Sequence, residues 1–183
     1  MQHKHDVTPP PAALDVPWHP TPRVCNLVCG IACVLLLLYG YYLEIFLNLP
    51  PCPLCVLQRF VIALLGIAFL AAAMQDPKRR AARVYGGYIA VVAAIGVSIA
   101  GRHVWLVHMA SDGAETCLPG LGYLLNALPI AETLRLVLLE SGNCGGTVWS
   151  FLGLSIPEWT LIAFIGFGVI GATVNWSAGK RAN

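Results

Sequence analysis

Four long apolar runs separated by polar stretches dominate the pattern of this chain. The first runs from Val24 to Leu47 and carries one charge, Glu44, near its end. The second runs from Pro53 to Met74, the third from Val84 to about Gly101, and the fourth from Pro157 to Trp176. About 20 apolar residues cross a hydrocarbon core, so each run predicts a membrane-spanning helix. Pro53 suits a first helical turn, where a missing N–H costs nothing. Ser155 is placed to cap the fourth helix. Tyr39, Tyr41 and Tyr42 fall where an interfacial aromatic belt would lie. Glycines and alanines in the third run permit close helix contact.

The remaining stretches are polar or mixed. Residues 1–23 are proline-rich, with Pro9, Pro10, Pro11, Pro17, Pro20 and Pro22. They bury too little apolar surface to offset ordering entropy, which predicts a disordered or polyproline-like tail. The tail is not read as a signal peptide, because the apolar run after it is too long for an h-region and no small-residue cleavage site follows. Residues 102–155 form a long loop with two helical pieces, Gly120 to Leu128 and Ala131 to Glu140, divided by Pro129. The second piece is apolar at Leu134, Val137 and Leu138 and charged at Glu132, Arg135 and Glu140. That pattern suits a helix lying in the membrane interface, or one packed on protein. The expected fold is all-α: a four-transmembrane-helix bundle over residues 24–176. Residues 48–53 and 102–155 form its outer loops, and 177–183 a short final tail.

Composition agrees with this pattern. Of 183 residues, 57% are hydrophobic and 11% charged, and mean hydropathy is +0.72. Soluble domains carry about a quarter charged residues, so a bilayer must be the solvent for much of this chain. The net charge of +2 and the lack of a basic, aromatic-laced cluster exclude a nucleic-acid partner. Basic residues set the orientation. Lys4 and Arg23, then Lys78, Arg79, Arg80 and Arg83, then Lys180 and Arg181 share one side if four helices alternate. The other side holds Arg59, Arg102 and Arg135. Both termini are therefore expected in the cytoplasm, with both cysteine-bearing loops outside.

Chemistry enters with the cysteines. Cys52 and Cys55 form a C-x-x-C pair around Pro53-Leu54 at the start of the second run. Free N–H groups and the dipole of a helix N-terminus favour a thiolate there. Arg59 lies four residues past Cys55, on the same helix face, where it can support the same anion. A guanidinium at the bilayer centre costs about 3 kcal/mol, so it asks for a partner: a thiolate, a bound carbonyl oxygen, or lipid headgroups reached by snorkelling. Cys117 and Cys144 also fall on the outer side, an oxidising compartment in a bacterial cell, where disulfides persist. A short C-x-x-C pair and a long-range loop pair suggest themselves, but four cysteines allow three connectivities. A metal is not expected: zinc takes four ligands, a second C-x-x-C is absent, and the histidines show no ligand spacing. Cys25, Cys29 and Cys33 recur every four residues on the first run and are read as small packing residues without chemistry. His103 and His108 follow the third run, and either suits protonation or hydrogen bonding of a reduced acceptor.

Two blocks carry a family resemblance. One is Pro51-Cys52-Pro53-Leu54-Cys55 followed by Gln58-Arg59. The other is Ser141-Gly142-Asn143-Cys144 followed by Trp149, Phe151-Leu152-Gly153-Leu154, Pro157 and Trp159. With four spans, they resemble the DsbB family of bacterial inner-membrane disulfide-generating proteins. The resemblance implies a thiol:quinone oxidoreductase that reoxidises a periplasmic DsbA-like thiol oxidase. Ubiquinone or menaquinone would receive the electrons. It implies disulfides Cys52–Cys55 and Cys117–Cys144, with Cys117 attacked by the soluble partner and Cys144 communicating with Cys52. Cys55 would face the quinone, and Arg59 would support its binding. His108 would correspond to a family histidine near the quinone, with His103 competing for that place. The proline-rich tail and the three extra cysteines depart from the family pattern.

Two other classes compete. A vitamin K epoxide reductase-like protein is also a four-helix redox bundle, but its C-x-x-C sits late, near the last span. A non-enzymatic membrane protein with a disulfide-stapled loop would hold static bonds that do not turn over with a thiol donor.

Overall fold

The computed structural model describes residues 21–47, 51–77, 80–109, 121–139 and 150–181. Its helices are α1 (Pro22–Phe46), α2 (Pro53–Gln75), α3 (Arg80–Met109), α4 (Leu121–Ala127), α5 (Ile130–Leu139) and α6 (Ile156–Arg181). Four of them, α1, α2, α3 and α6, are long and apolar enough to cross a membrane. The fold is an all-α membrane bundle, as the apolar runs predict. Residues 1–20 of the expected tail lie outside the described residues, as do Cys117 and Cys144.

Local signals explain the helix ends. Thr21 caps α1, its hydroxyl accepting the N–H of Val24, with Pro22 in the first turn. This cap starts the helix two residues ahead of the apolar run. Cys52 caps α2 and Pro53 follows it. Asp76 ends α2 in the left-handed region, at φ 41°, and Pro77 cannot continue the ladder. Ser155 precedes α6, and its N–H and hydroxyl both donate to Glu158, at 2.6 and 2.7 Å. That is half of a capping box.

The observed α3 is longer than its apolar run predicts. At 30 residues it is about 45 Å long, against a hydrocarbon core of about 30 Å. Arg102 and His103 end the apolar pattern but do not break a helix, and no proline follows them before Met109. A short hairpin pairing Ser150 with Ser155 and Phe151 with Leu154 leads into α6. Its two turn residues, Leu152 and Gly153, have φ 55° and 80°, as a two-residue hairpin loop of the primed type requires.

Packing orders the long helices α1–α2–α3–α6, with α1 also meeting α6. Cys33, Leu65, Phe69, Ile89 and Phe164 form the centre of the core. Leu35, Phe60, Ile67, Val91 and Val169 point outward, an apolar exterior that only lipid would solvate well. Cys29 and Cys33 sit in the core cluster, and Cys33 lies against Gly66. At the start of α2, Leu54, Leu124 and Val137 make a smaller buried cluster. It seats α4 and α5 on the start of α2, so α5 packs on protein through Val137. Ile130, Glu132 and Arg135 stay exposed.

One polar tie closes the bundle at the end holding the start of α1 and the end of α6. Asn26 and Asn175 exchange amide hydrogen bonds of 3.0 Å in both directions. Both are buried, and Asn175 also donates to the Gly171 carbonyl at 2.8 Å. The start of α1 and the end of α6 therefore lie on one side, opposite the C-x-x-C.

Gly171 sets how closely α6 approaches its neighbours. A Cβ there would lie 2.5 Å from Ile89 Cγ2 of α3 and 3.0 Å from the Phe69 ring of α2. We predict that Gly171→Val destabilises the bundle by about 1–3 kcal/mol through overpacking, read as a lower unfolding temperature in detergent. Gly87→Ala, where an added methyl meets nothing within 4 Å, should not lower it. Equal unfolding temperatures for the two variants would refute this account of the α6 contact.

Candidate active site

The start of α2 brings the thiol pair together. A residue that caps a helix turns its side chain back over the first free N–H groups. Cys52 does this: its Sγ accepts the Cys55 N–H at 3.2 Å. The same turn sets Cys52 Sγ 2.6 Å from Cys55 Sγ. Both cysteines are half-buried, under the lid that α4 and α5 place over Leu54. Cys55 lies in the first turn, where the helix dipole favours an anion.

A buried polar layer underlies the pair. His103 of α3 points its Nε2 at Cys52 Sγ, 3.7 Å away. Its Nδ1 lies 3.1 Å from Gln58 Nε2 of α2. The Thr160 hydroxyl of α6 is 3.0 Å from Gln58 Oε1 and also near the carbonyls of Ile156 and Pro157. Gln58 and His103 are each 3% exposed. Polar groups this deep need partners, and here each helix supplies one for the next.

Arg59 reaches α1. Its Nη1 donates to Glu44 in a short ion pair, and its Nη2 donates to the Gly40 carbonyl at 2.8 Å. The guanidinium also lies over the Tyr41 ring, 5.1 Å from its centroid. A Cβ at Gly40 would come within 3.1 Å of Arg59 Nε, so the glycine gives the guanidinium room. The partner that a membrane arginine demands is thus Glu44, which the sequence marks only as the single charge of its span.

The structure separates the two histidines. His103 stands beside Cys52. His108 is exposed, with Nδ1 donating to the Val104 carbonyl at 2.9 Å and Nε2 3.8 Å from Glu158. Thr160 and Glu44 are site-forming residues to which the sequence reading gave no role, and Gln58 entered it only as part of the family motif. Their signal was a polar side chain inside an apolar run, which in a membrane segment is a functional or pairing residue by default.

Cys52, Cys55 and His103 bring their ligand atoms within 4.8 Å of one another. Tetrahedral zinc–thiolate bonds would hold two sulfurs about 3.8 Å apart, whereas these stand at 2.6 Å. Among the described residues the set also offers three ligands, where structural zinc takes four. The arrangement suits sulfur–sulfur exchange better than a shared ion.

A half-buried dithiol at a helix mouth, on a polar layer inside an apolar four-helix bundle, defines a membrane protein built for thiol chemistry. Comparison with known proteins specifies the class further. The family model described as disulfide bond formation protein DsbB matches residues 22–174. Disulfide bond formation protein B of Nitrosococcus oceani is 45% identical over 148 residues, covering 81% of this chain and 86% of that protein. Its namesake in Methylococcus capsulatus is 39% identical, covering 87% and 97%, and that of Hahella chejuensis is 41% identical, covering 83% and 92%. The chain belongs to the DsbB family.

The Glu44–Arg59 pair is expected to couple two helices energetically. In a double-mutant cycle of Glu44→Gln and Arg59→Met, unfolding in detergent should report an interaction of about 1 kcal/mol or more. Strictly additive effects would show that the two groups are independent.

Proposed function

We propose that this protein is a thiol:quinone oxidoreductase of the bacterial inner membrane. It would reoxidise a DsbA-like soluble thiol oxidase in the periplasm and deliver the electrons to ubiquinone or menaquinone. Both termini would face the cytoplasm. The observation that carries this reading is the contact of the Cys52 and Cys55 sulfurs at the first turn of a lipid-facing helix, in a chain of this family.

The proposed route uses thiolate exchange throughout. A donor thiolate attacks Cys117 Sγ, a donor–Cys117 bond forms, and Cys144 leaves as a thiolate. The second donor thiolate attacks its own mixed disulfide, releasing oxidised donor and Cys117 as a thiolate. Cys144 attacks Cys52 Sγ, and the Cys52–Cys55 bond breaks with its electron pair on Cys55. Cys117 then attacks Cys144, and Cys52 leaves as a thiolate. The net result is an oxidised donor and a reduced Cys52/Cys55 pair. Rates of such steps depend on an accessible sulfur and a stabilised leaving thiolate, and the helix N-terminus favours the thiolate at Cys52 and Cys55.

The residues at this rim fit a quinone. Cys55 and Arg59 stand one turn apart on α2, and Arg59 offers guanidinium N–H groups suited to a carbonyl oxygen. Phe46 and Phe60, beside Glu44 and Arg59 in sequence, are exposed on the apolar exterior, which suits an isoprenoid-bearing ring approaching from lipid. A bound quinone supplies the oxidant, taking two electrons and two protons. Every 30 mV by which it outranks the dithiol is worth about 1.4 kcal/mol of driving force. Glu44 and Gly40 hold the guanidinium in place.

With a reduced soluble DsbA and ubiquinone, purified protein should consume quinone only when the thiol donor is present. Cys55→Ser should lower the rate by about a thousandfold or more, and Cys144→Ser, which leaves the reduced donor no Cys117–Cys144 bond to attack, should lower it comparably. Full activity in Cys55→Ser, or no donor-dependent quinone loss, would overturn the reading.

A further inference from the structure

The polar file beneath the thiols has a direction. Gln58 presents its Oε1 to the Thr160 hydroxyl at 3.0 Å, which shares its one proton with the carbonyls of Pro157 at 2.9 Å and Ile156 at 3.3 Å. An amide whose oxygen is so engaged turns its NH2 to the other side, where Gln58 Nε2 meets His103 Nδ1 at 3.1 Å. Nδ1 must then accept, so the ring proton resides on Nε2. Nε2–H faces Cys52 Sγ at 3.7 Å. The same sulfur receives the Cys55 N–H at 3.2 Å. Two donors therefore converge on one sulfur, one of them fixed by side chains from two other helices. A thiolate accepts both bonds well, whereas a thiol is a weak acceptor.

We propose that His103, held in its Nε2–H tautomer by Gln58 and Thr160, is a positioning residue that stabilises the Cys52 thiolate. Resting on the exchange route above, this assigns it a step. When Cys117 attacks Cys144, the Cys117–Cys144 bond forms and the Cys144–Cys52 bond breaks. The electron pair stays on Cys52, where His103 Nε2–H and the Cys55 N–H receive it. A better-stabilised thiolate leaves faster. Among the described residues, the ionisable side chains set against Cys52 include Cys55 from its own helix and His103 from α3, while Arg59 is engaged by α1.

The test is alkylation of fully reduced protein by iodoacetamide across pH, with Cys52 and Cys55 followed separately by mass spectrometry. His103→Phe keeps a ring and loses the donor. It should slow Cys52 alkylation at neutral pH by about tenfold and move its profile about one unit to higher pH. His103→Gln keeps an N–H donor and should restore most of the wild-type profile. Gln58→Leu should shift Cys52 in the same direction as His103→Phe. Thiol-dependent quinone reduction should fall with the loss of Cys52 thiolate across the series. A Cys52 profile in His103→Phe that superimposes on wild type overturns the proposal, whatever happens to thermal stability. So does a His103→Gln profile as impaired as that of His103→Phe, since the imidazole would then matter only for packing. Failure of wild-type protein to reduce quinone would instead sink the oxidoreductase reading, and the alkylation profiles would still decide the role of His103.

Discussion

Polar groups in the apolar part of this bundle have to be answered by other helices, because lipid offers no hydrogen bonds. That requirement shapes both ends of the molecule. At one end Asn26 and Asn175 close α1 onto α6 through a reciprocal amide pair. At the other, Thr160, Gln58 and His103 join α6, α2 and α3 in series. Arg59 and Glu44 add a charged tie between α1 and α2. Between these ties the core is packed by Phe69, Phe164 and small residues such as Cys33. Without a hydrophobic force between helices in lipid, such packing and such bonds must carry association.

The thiol pair stands on the second of these platforms. Its position is a consequence of helix capping: Cys52 is the residue whose side chain must turn back over the first turn, and Pro53 is tolerated there because its N–H is not needed. A site built on helix ends is held more precisely than one built on a loop. The buried imidazole and amide below it are costly to place, and the hydrogen bonds between helices offset that cost. The same bonds fix which way each donor points, so one arrangement serves packing and directs donors at Cys52 Sγ. The lid of α4 and α5 over Leu54 covers this corner.

Much of the architecture is legible from residue order. Apolar run length specifies four spans, and Pro53 and Ser155 locate the starts of α2 and α6, whereas the Thr21 cap starts α1 two residues before its apolar run. Pro129 divides α4 from α5 where expected, since a proline disfavours helical geometry in the residue before it. The length of α3 was not legible, because Arg102 and His103 end an apolar pattern without ending a helix. The hairpin before α6 was not legible either, since Leu152 adopts a positive φ that its residue type does not advertise.

Residue order therefore set the class of the molecule, its spans and the presence of a reactive dithiol, because hydrophobic length, capping and cysteine spacing are local properties. Which partners those groups meet was a matter of helix packing. His103 and His108 are five residues apart on one helix, so they project about 140° apart, and the rotation of α3 against α2 chose His103 to face Cys52. Arg59 met Glu44 rather than a thiolate because α1 lies against α2 at that depth. Contacts of this kind join residues 15 to 102 positions apart, and they exist only once four helices have settled against one another.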